Sequence, residues 1–146
     1  MRNTEKRKII SIGVEDFKTL IDWNGYFVDK TLMIRDLIDN HAMVTLFTRP
    51  RRVGKTLNQF MIRRFFEDEI TEKGEKVDNG YLFDGLAITR CGEEILQHQQ
   101  RYPVIFMSLK SAKQDSYDMA YASLIDEISK EFKRHAYLLQ GESLSP

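Results

Sequence analysis

Met43-Val44-Thr45-Leu46-Phe47-Thr48, followed by Arg49-Pro50-Arg51-Arg52-Val53-Gly54-Lys55-Thr56-Leu57, decides how the rest of the chain is read. The first six residues are mostly apolar and do not alternate, which reads as a strand buried on both faces, as in a parallel sheet. Gly54-Lys55-Thr56 completes the phosphate-loop pattern G-x-x-x-x-G-K-[ST], except that Arg49 stands where the pattern has its first glycine. Behind the loop, Leu57, Phe60, Met61 and Phe65 recur on one face of a helix. A bare Gly-Lys-Thr at an ordinary helix start is weak evidence. The strand before it and the helix after it are the context the motif requires.

Each residue type in the loop has a chemical reason to be there. Gly54 allows close backbone approach to a phosphate, and the amides from Gly54 to Leu57 would face the anion from a helix N-terminus. Lys55 would reach the β- and γ-phosphates, and the Thr56 hydroxyl would ligate Mg²⁺. Arg51 and Arg52 would contact phosphate or pair with acids of a neighbouring subunit, as charge-stabilising arginines do. The nucleotide-binding set is therefore Arg51, Arg52, Val53, Gly54, Lys55, Thr56 and Leu57, with Thr56 as metal ligand and ATP and Mg²⁺ as cofactors. No catalytic residue is assigned. Arg63 and Arg64, further down the helix, are read as its exposed face.

Working outward, Phe17, Leu20 and Ile21 predict a short amphipathic helix ended near Asn24-Gly25, and Tyr26-Phe27-Val28 a short strand. Met33, Ile34, Leu37 and Ile38 recur at helical spacing. Ahead of them, Asp29-Lys30-Thr31 has two readings: a helix cap with a solvated Lys30, or a segment folding toward the nucleotide. Lys73 to Gly80 is polar and reads as an exposed loop, and Glu93 to Gln100 as a short helix. Pro103 to Leu109 reads as a second buried strand. Tyr117, Ala120, Tyr121, Leu124, Ile125, Ile128 and Phe132 share one face of a last helix, capped by Asp115 or Ser116. Leu124-Ile125-Asp126-Glu127 spells the end of a Walker B strand, but it lies inside that helical pattern, where Asp126 and Glu127 face solvent.

The 146 residues suit one domain of ordinary size, and 42% hydrophobic with 30% charged residues suits a globular chain rather than a disordered one. The 22 basic and 22 acidic residues cancel, so total charge points to neither nucleic acid nor membrane. Locally the balance differs: residues 40–66 hold no Asp or Glu but six Arg or Lys. One cysteine, Cys91, permits no internal disulfide. The charged start lacks an apolar signal region and no apolar run has membrane-spanning length, so a cytoplasmic location and no membrane partner are expected.

Ser11-Ile12-Gly13-Val14-Glu15-Asp16-Phe17, Gly25-Tyr26-Phe27-Val28-Asp29-Lys30-Thr31 and Thr48 to Leu57 resemble the predicted AAA-ATPase-like family of bacterial proteins. Tyr81-Leu82-Phe83-Asp84-Gly85-Leu86 and Tyr102-Pro103-Val104-Ile105 are similar to later stations of that family, so the resemblance runs through nearly the whole chain after residue 10. In that family Pro-Arg-Arg-x-Gly-Lys-Thr is the usual form of the loop. The resemblance also implies a longer protein, with a Walker B strand and often a nuclease-like C-terminal domain beyond this chain.

Strands alternating with helices, together with the loop, predict an α/β fold: a three-layer P-loop NTPase core with a parallel sheet, present as its N-terminal portion. The expected organisation is a charged lead over residues 1–10, the P-loop domain over 11–139 and a frayed tail over 140–146. The expected function is Mg-ATP binding, with hydrolysis requiring a Walker B segment that this chain does not carry. The alternative is a nucleic-acid-binding or adaptor module using the basic loop on backbone phosphates. Expected partners are a nucleotide, further copies of the chain in a homo-oligomer, and nucleic acid through the C-terminal domain.

Overall fold

The computed structural model describes residues 7–48, 50 and 53–140. Arg49, Arg51 and Arg52 of the loop lie outside the described residues, as do most of the charged lead and the tail beyond Gln140. The chain divides into two compact units, one formed by Met1–Glu67 with Asp78–Tyr102, the other by Asp68–Val77 with Pro103–Pro146.

The first unit holds four helices: α1 (Phe17–Asp22), α2 (Leu32–Asp39), α3 (Lys55–Phe66) and the short α4 (Glu93–Leu96), with 3-10 turns at Gly80–Phe83 and Ala87–Arg90. Asp16 caps α1, accepting the Thr19 amide at 3.0 Å, which satisfies one of the N–H groups every helix start leaves open. Asn24, left-handed at φ 54°, ends that helix where the Asn-Gly pair predicted a stop. Phe17, Ile34, Met61, Phe65, Leu82, Phe83, Ile88 and Ile95 form the core. Phe83 lies 5.3 Å from both Phe17 and Phe65, ring centre to ring centre, so the first 3-10 turn plugs the space between α1 and α3.

Helix α3 carries two arginines whose placement corrects the sequence reading. Arg63 and Arg64 are not its exposed face: their side chains are 14% and 13% exposed. Arg63 pairs at 2.7 Å with Glu67, which is fully buried, and Arg64 stands 3.8 Å from the Asp16 carboxylate at the start of α1. The length of the arginine stem lets the charged head reach an acid that the helical period places just outside the apolar stripe.

The second unit holds α5 (Tyr117–Arg134) and a 3-10 turn at Ala136–Gln140. Ser116 caps α5, accepting the Met119 amide at 3.3 Å. The helix is the one the periodicity predicts. Its apolar face, however, has no core against it: α5 has no buried residue, and Tyr117 and Phe132 are 78% and 73% exposed. Asp126 is in the helix and pairs with Lys130 one turn on, at 2.6 Å.

The expected three-layer core with a parallel sheet is not the observed fold. The chain is mostly helical, and among the described residues there is no sheet, only the isolated bridges Ile9–Gly25, Glu67–Tyr102 and Ile70–Lys76. Residues 43–48 and 103–109 are extended, as their apolar runs suggest, but neither joins a ladder. Nor is the first run buried, with Val44 and Leu46 84% and 81% exposed. Around 104–106 the backbone bonds elsewhere. The Phe106 amide donates to the Glu131 carboxylate at 3.1 Å, and the Val104 carbonyl takes the Arg134 guanidinium and lies 3.0 Å from the His135 ring. Side chains from the end of α5 thus occupy backbone groups that a neighbouring strand would need.

Candidate functional site

Gly54 is the N-cap of α3, in the left-handed conformation at φ 79° and ψ 27°. A Cβ there would meet no atom within 4 Å, so glycine is required by the backbone angle and not by crowding. Its carbonyl accepts the first helical bond, from the Asn58 amide at 2.9 Å. Helix geometry points the first-turn N–H groups out of this end, and α3 carries no acid in its first turn to compete with an incoming anion.

In front of that helix start lies a cavity of about 680 Å³ with a two-helix frame. From α2 come Met33, Asp36, Leu37 and Asn40, and from α3 Lys55, Asn58, Gln59 and Ile62. Both sets follow the i, i+3, i+4, i+7 rule, one stripe from each helix. Thr45 and Phe47 of the extended segment, Val53 and Lys30 complete the lining. Met33, Leu37, Phe47 and Ile62 make apolar wall, while the amides Asn40, Asn58 and Gln59 supply hydrogen-bonding groups. Lys30, Lys55 and Asp36 are the charged members, and the Arg35 guanidinium bonds the Asp36 carboxylate at 2.7 Å.

The sequence-derived residues do not all meet here. Val53 and Lys55 line the cavity and are exposed; Gly54 sits between them. Thr56, the expected metal ligand, is half-buried in the first turn of α3 and is not part of the lining. Leu57 packs against the core. Arg51 and Arg52 lie outside the described residues.

Sequence reasoning left Asp29-Lys30-Thr31 undecided, and the geometry draws on both of its readings. Asp29 accepts the Thr31 amide at 2.9 Å and the Thr31 hydroxyl at 2.6 Å through one oxygen, and the Ala87 amide at 2.7 Å through the other. Thr31 is fully buried, and its hydroxyl oxygen accepts the Ile88 amide at 3.1 Å. This bolts the start of α2 to the 3-10 turn Ala87–Arg90. Burial opposes the Asp29 charge, yet the Thr31 and Ala87 hydrogen bonds and the nearby Arg90 together hold its carboxyl below the ordinary value. Lys30, between the two anchors, donates its ammonium to the Val53 carbonyl at 3.3 Å, one residue before Gly54. Its signal in the sequence was only its place between two cap-type residues.

Fold and site together define a helical protein with a groove that presents two lysines beside a glycine-capped helix start. A family model described as a predicted AAA-ATPase matches residues 11–143. The chain belongs to that family, which implies nucleotide binding, with metal use, in general terms. No curated protein and no solved structure matches it. Among the described residues no helix is long and apolar enough to cross a membrane.

Proposed function

We propose that the protein binds Mg-ATP at the start of α3. The phosphates would lie against the Gly54–Thr56 turn and the nucleoside would enter the groove between α2 and α3. The observation carrying this reading is the left-handed, uncrowded Gly54 at the head of α3, opening beside a cavity that both Lys30 and Lys55 line. A nucleotide fits that donor set. Two ammonium groups and the helix dipole suit a polyphosphate, and apolar walls with three side-chain amides suit a base. Mg²⁺ would neutralise phosphate charge. It keeps several waters and takes phosphate oxygens, so the single Thr56 hydroxyl is a sufficient protein contribution once the first turn of α3 presents it to the phosphates. Arg51 and Arg52 would add charge at the loop. Hydrolysis by this polypeptide is expected near background, because phosphoryl transfer needs an acid positioned on metal and water, and none is assigned. A cytoplasmic location belongs to the same reading.

The test is ligand-dependent melting. At about 100 times its dissociation constant a ligand stabilises by about 2.7 kcal/mol, which is readable as a shift in Tm. ATP with Mg²⁺ should raise Tm, Lys55→Ala should abolish the rise, and Thr56→Ala should weaken it only when Mg²⁺ is present. Equal shifts in wild type and Lys55→Ala would sink the proposal. A tight complex with duplex DNA, indifferent to ATP and lost when Arg51 and Arg52 are both replaced by Ala, would favour the nucleic-acid reading in its place.

A further inference from the structure

Lys30 stands 23 residues before Val53 in sequence and yet reaches its carbonyl. What brings it there is rigid. The residue on either side is tied into the body of the first unit, Asp29 through the Ala87 amide and Thr31 through the Ile88 amide. Their side chains are committed to that anchoring, and Thr31 is fully buried. With its neighbours held in this way, the Lys30 backbone has little freedom, and its stem extends from the start of α2 across to the loop. Lys55, the first residue of α3, lines the same cavity. Two ammonium groups from different elements therefore converge on one space. The Asp36 carboxylate that shares it is already engaged by Arg35, so the lining keeps a positive balance.

A resting lysine on a carbonyl oxygen makes one hydrogen bond, and an ammonium has three donors. A phosphate chain laid along the Gly54–Thr56 turn would offer the remaining donors charged acceptors, which make stronger bonds than a carbonyl does. The reach matters too. Lys55 serves the part of an anion nearest the helix axis, whereas Lys30 arrives from the α2 side of the groove and meets a chain only where it extends past the turn.

We propose that Lys30 is a second polyphosphate-binding cation of this site and sets its preference for nucleoside triphosphates over monophosphates. The inference rests on the proposed nucleotide site and can fail separately from it. The experiment measures Kd for Mg-ATP and for AMP by calorimetry on the 146-residue chain as wild type, Lys30→Ala, Lys30→Arg and Lys55→Ala, with the ligand-free Tm of each as a check on folding. Lys30→Ala should weaken ATP binding about tenfold, the lower end for a lost hydrogen bond to a charged group. AMP binding should change less than about twofold, and Lys30→Arg should keep most of the ATP affinity. If Lys55→Ala loses ATP while Lys30→Ala binds it like wild type, Lys30 has no such role and the nucleotide site stands. Equal losses for ATP and AMP, unrescued by Arg, would reduce Lys30 to a structural contact and overturn the proposal. A wild type indifferent to ATP would remove the nucleotide site itself.

Discussion

The Thr31 hydroxyl oxygen accepts the Ile88 amide across 57 residues of chain, at 3.1 Å and inside the protein. The same hydroxyl donates to the Asp29 carboxylate at 2.6 Å, so one oxygen links the start of α2 to a distant 3-10 turn. Thr31→Val keeps the shape but strands the Ile88 amide in the interior. Leaving a buried donor unsatisfied costs about 2 kcal/mol, and a loss of that size should appear in urea unfolding. Thr31→Ser keeps the hydroxyl and should cost only about 1 kcal/mol, for the buried methyl. Equal losses for the two variants would mean that the bond contributes nothing beyond packing.

Asp16 and Asp29 both titrate below their ordinary value of 3.8. For Asp16, burial works against the charge, but hydrogen bonds from Thr19 and the Arg64 charge outweigh it. A carboxylate with a lowered folded pKa leaves the unfolded chain binding more protons in the window between the two values, so stability rises with pH there. Both contributions are complete above the ordinary value and vanish as pH falls through the lowered one. Unfolding free energy measured from pH 7 down to about 3 should therefore drop below about pH 4. Asp29→Asn should be less stable at neutral pH and should show a shallower acid slope. An unchanged slope would show that Asp29 titrates normally.

Glu67 is fully buried and its carboxylate lies 2.7 Å from Arg63. Removing one partner of a buried pair leaves a charge without compensation, which costs about 3 kcal/mol. Arg63→Met should lose about that amount in chemical denaturation. Replacing both residues, Arg63→Met with Glu67→Leu, should recover most of it, since an apolar pair of similar volume needs no desolvation. A single variant within about 0.5 kcal/mol of wild type would mean that the pair behaves like an exposed one.

Much of the local structure was legible in the sequence. Apolar residues at helical spacing located α2, α3 and α5, and Ser116 capped α5 as its position suggested. Asn24-Gly25 ended α1. These are short-range properties, set by the helical period and by which side chains can bond a nearby amide. The glycine that heads α3 was equally visible, because the demand for a left-handed residue there is local. The roles of Arg63 and Arg64 were not. Whether a charged side chain on a helix faces water or a buried acid depends on what stands opposite, and Asp16 is nowhere near Arg64 in sequence.

The sequence by itself determined that a helix begins at Lys55 behind a glycine, that another fills residues 117–134, and that the loop between strand-like run and helix is built for an anion. It did so because each rests on contacts within a few residues. Only the tertiary structure decided whether the apolar runs 43–48 and 103–109 would pair. A strand exists through its neighbours, and here the backbone of Val104 and Phe106 is taken by Arg134, His135 and Glu131. Only the tertiary structure, likewise, brought Lys30 to Val53 beside Lys55, while leaving Thr56 off the cavity wall. Hydrogen bonds between residues 57 and 58 positions apart hold Lys30 in that place, and no periodicity in the chain encodes them.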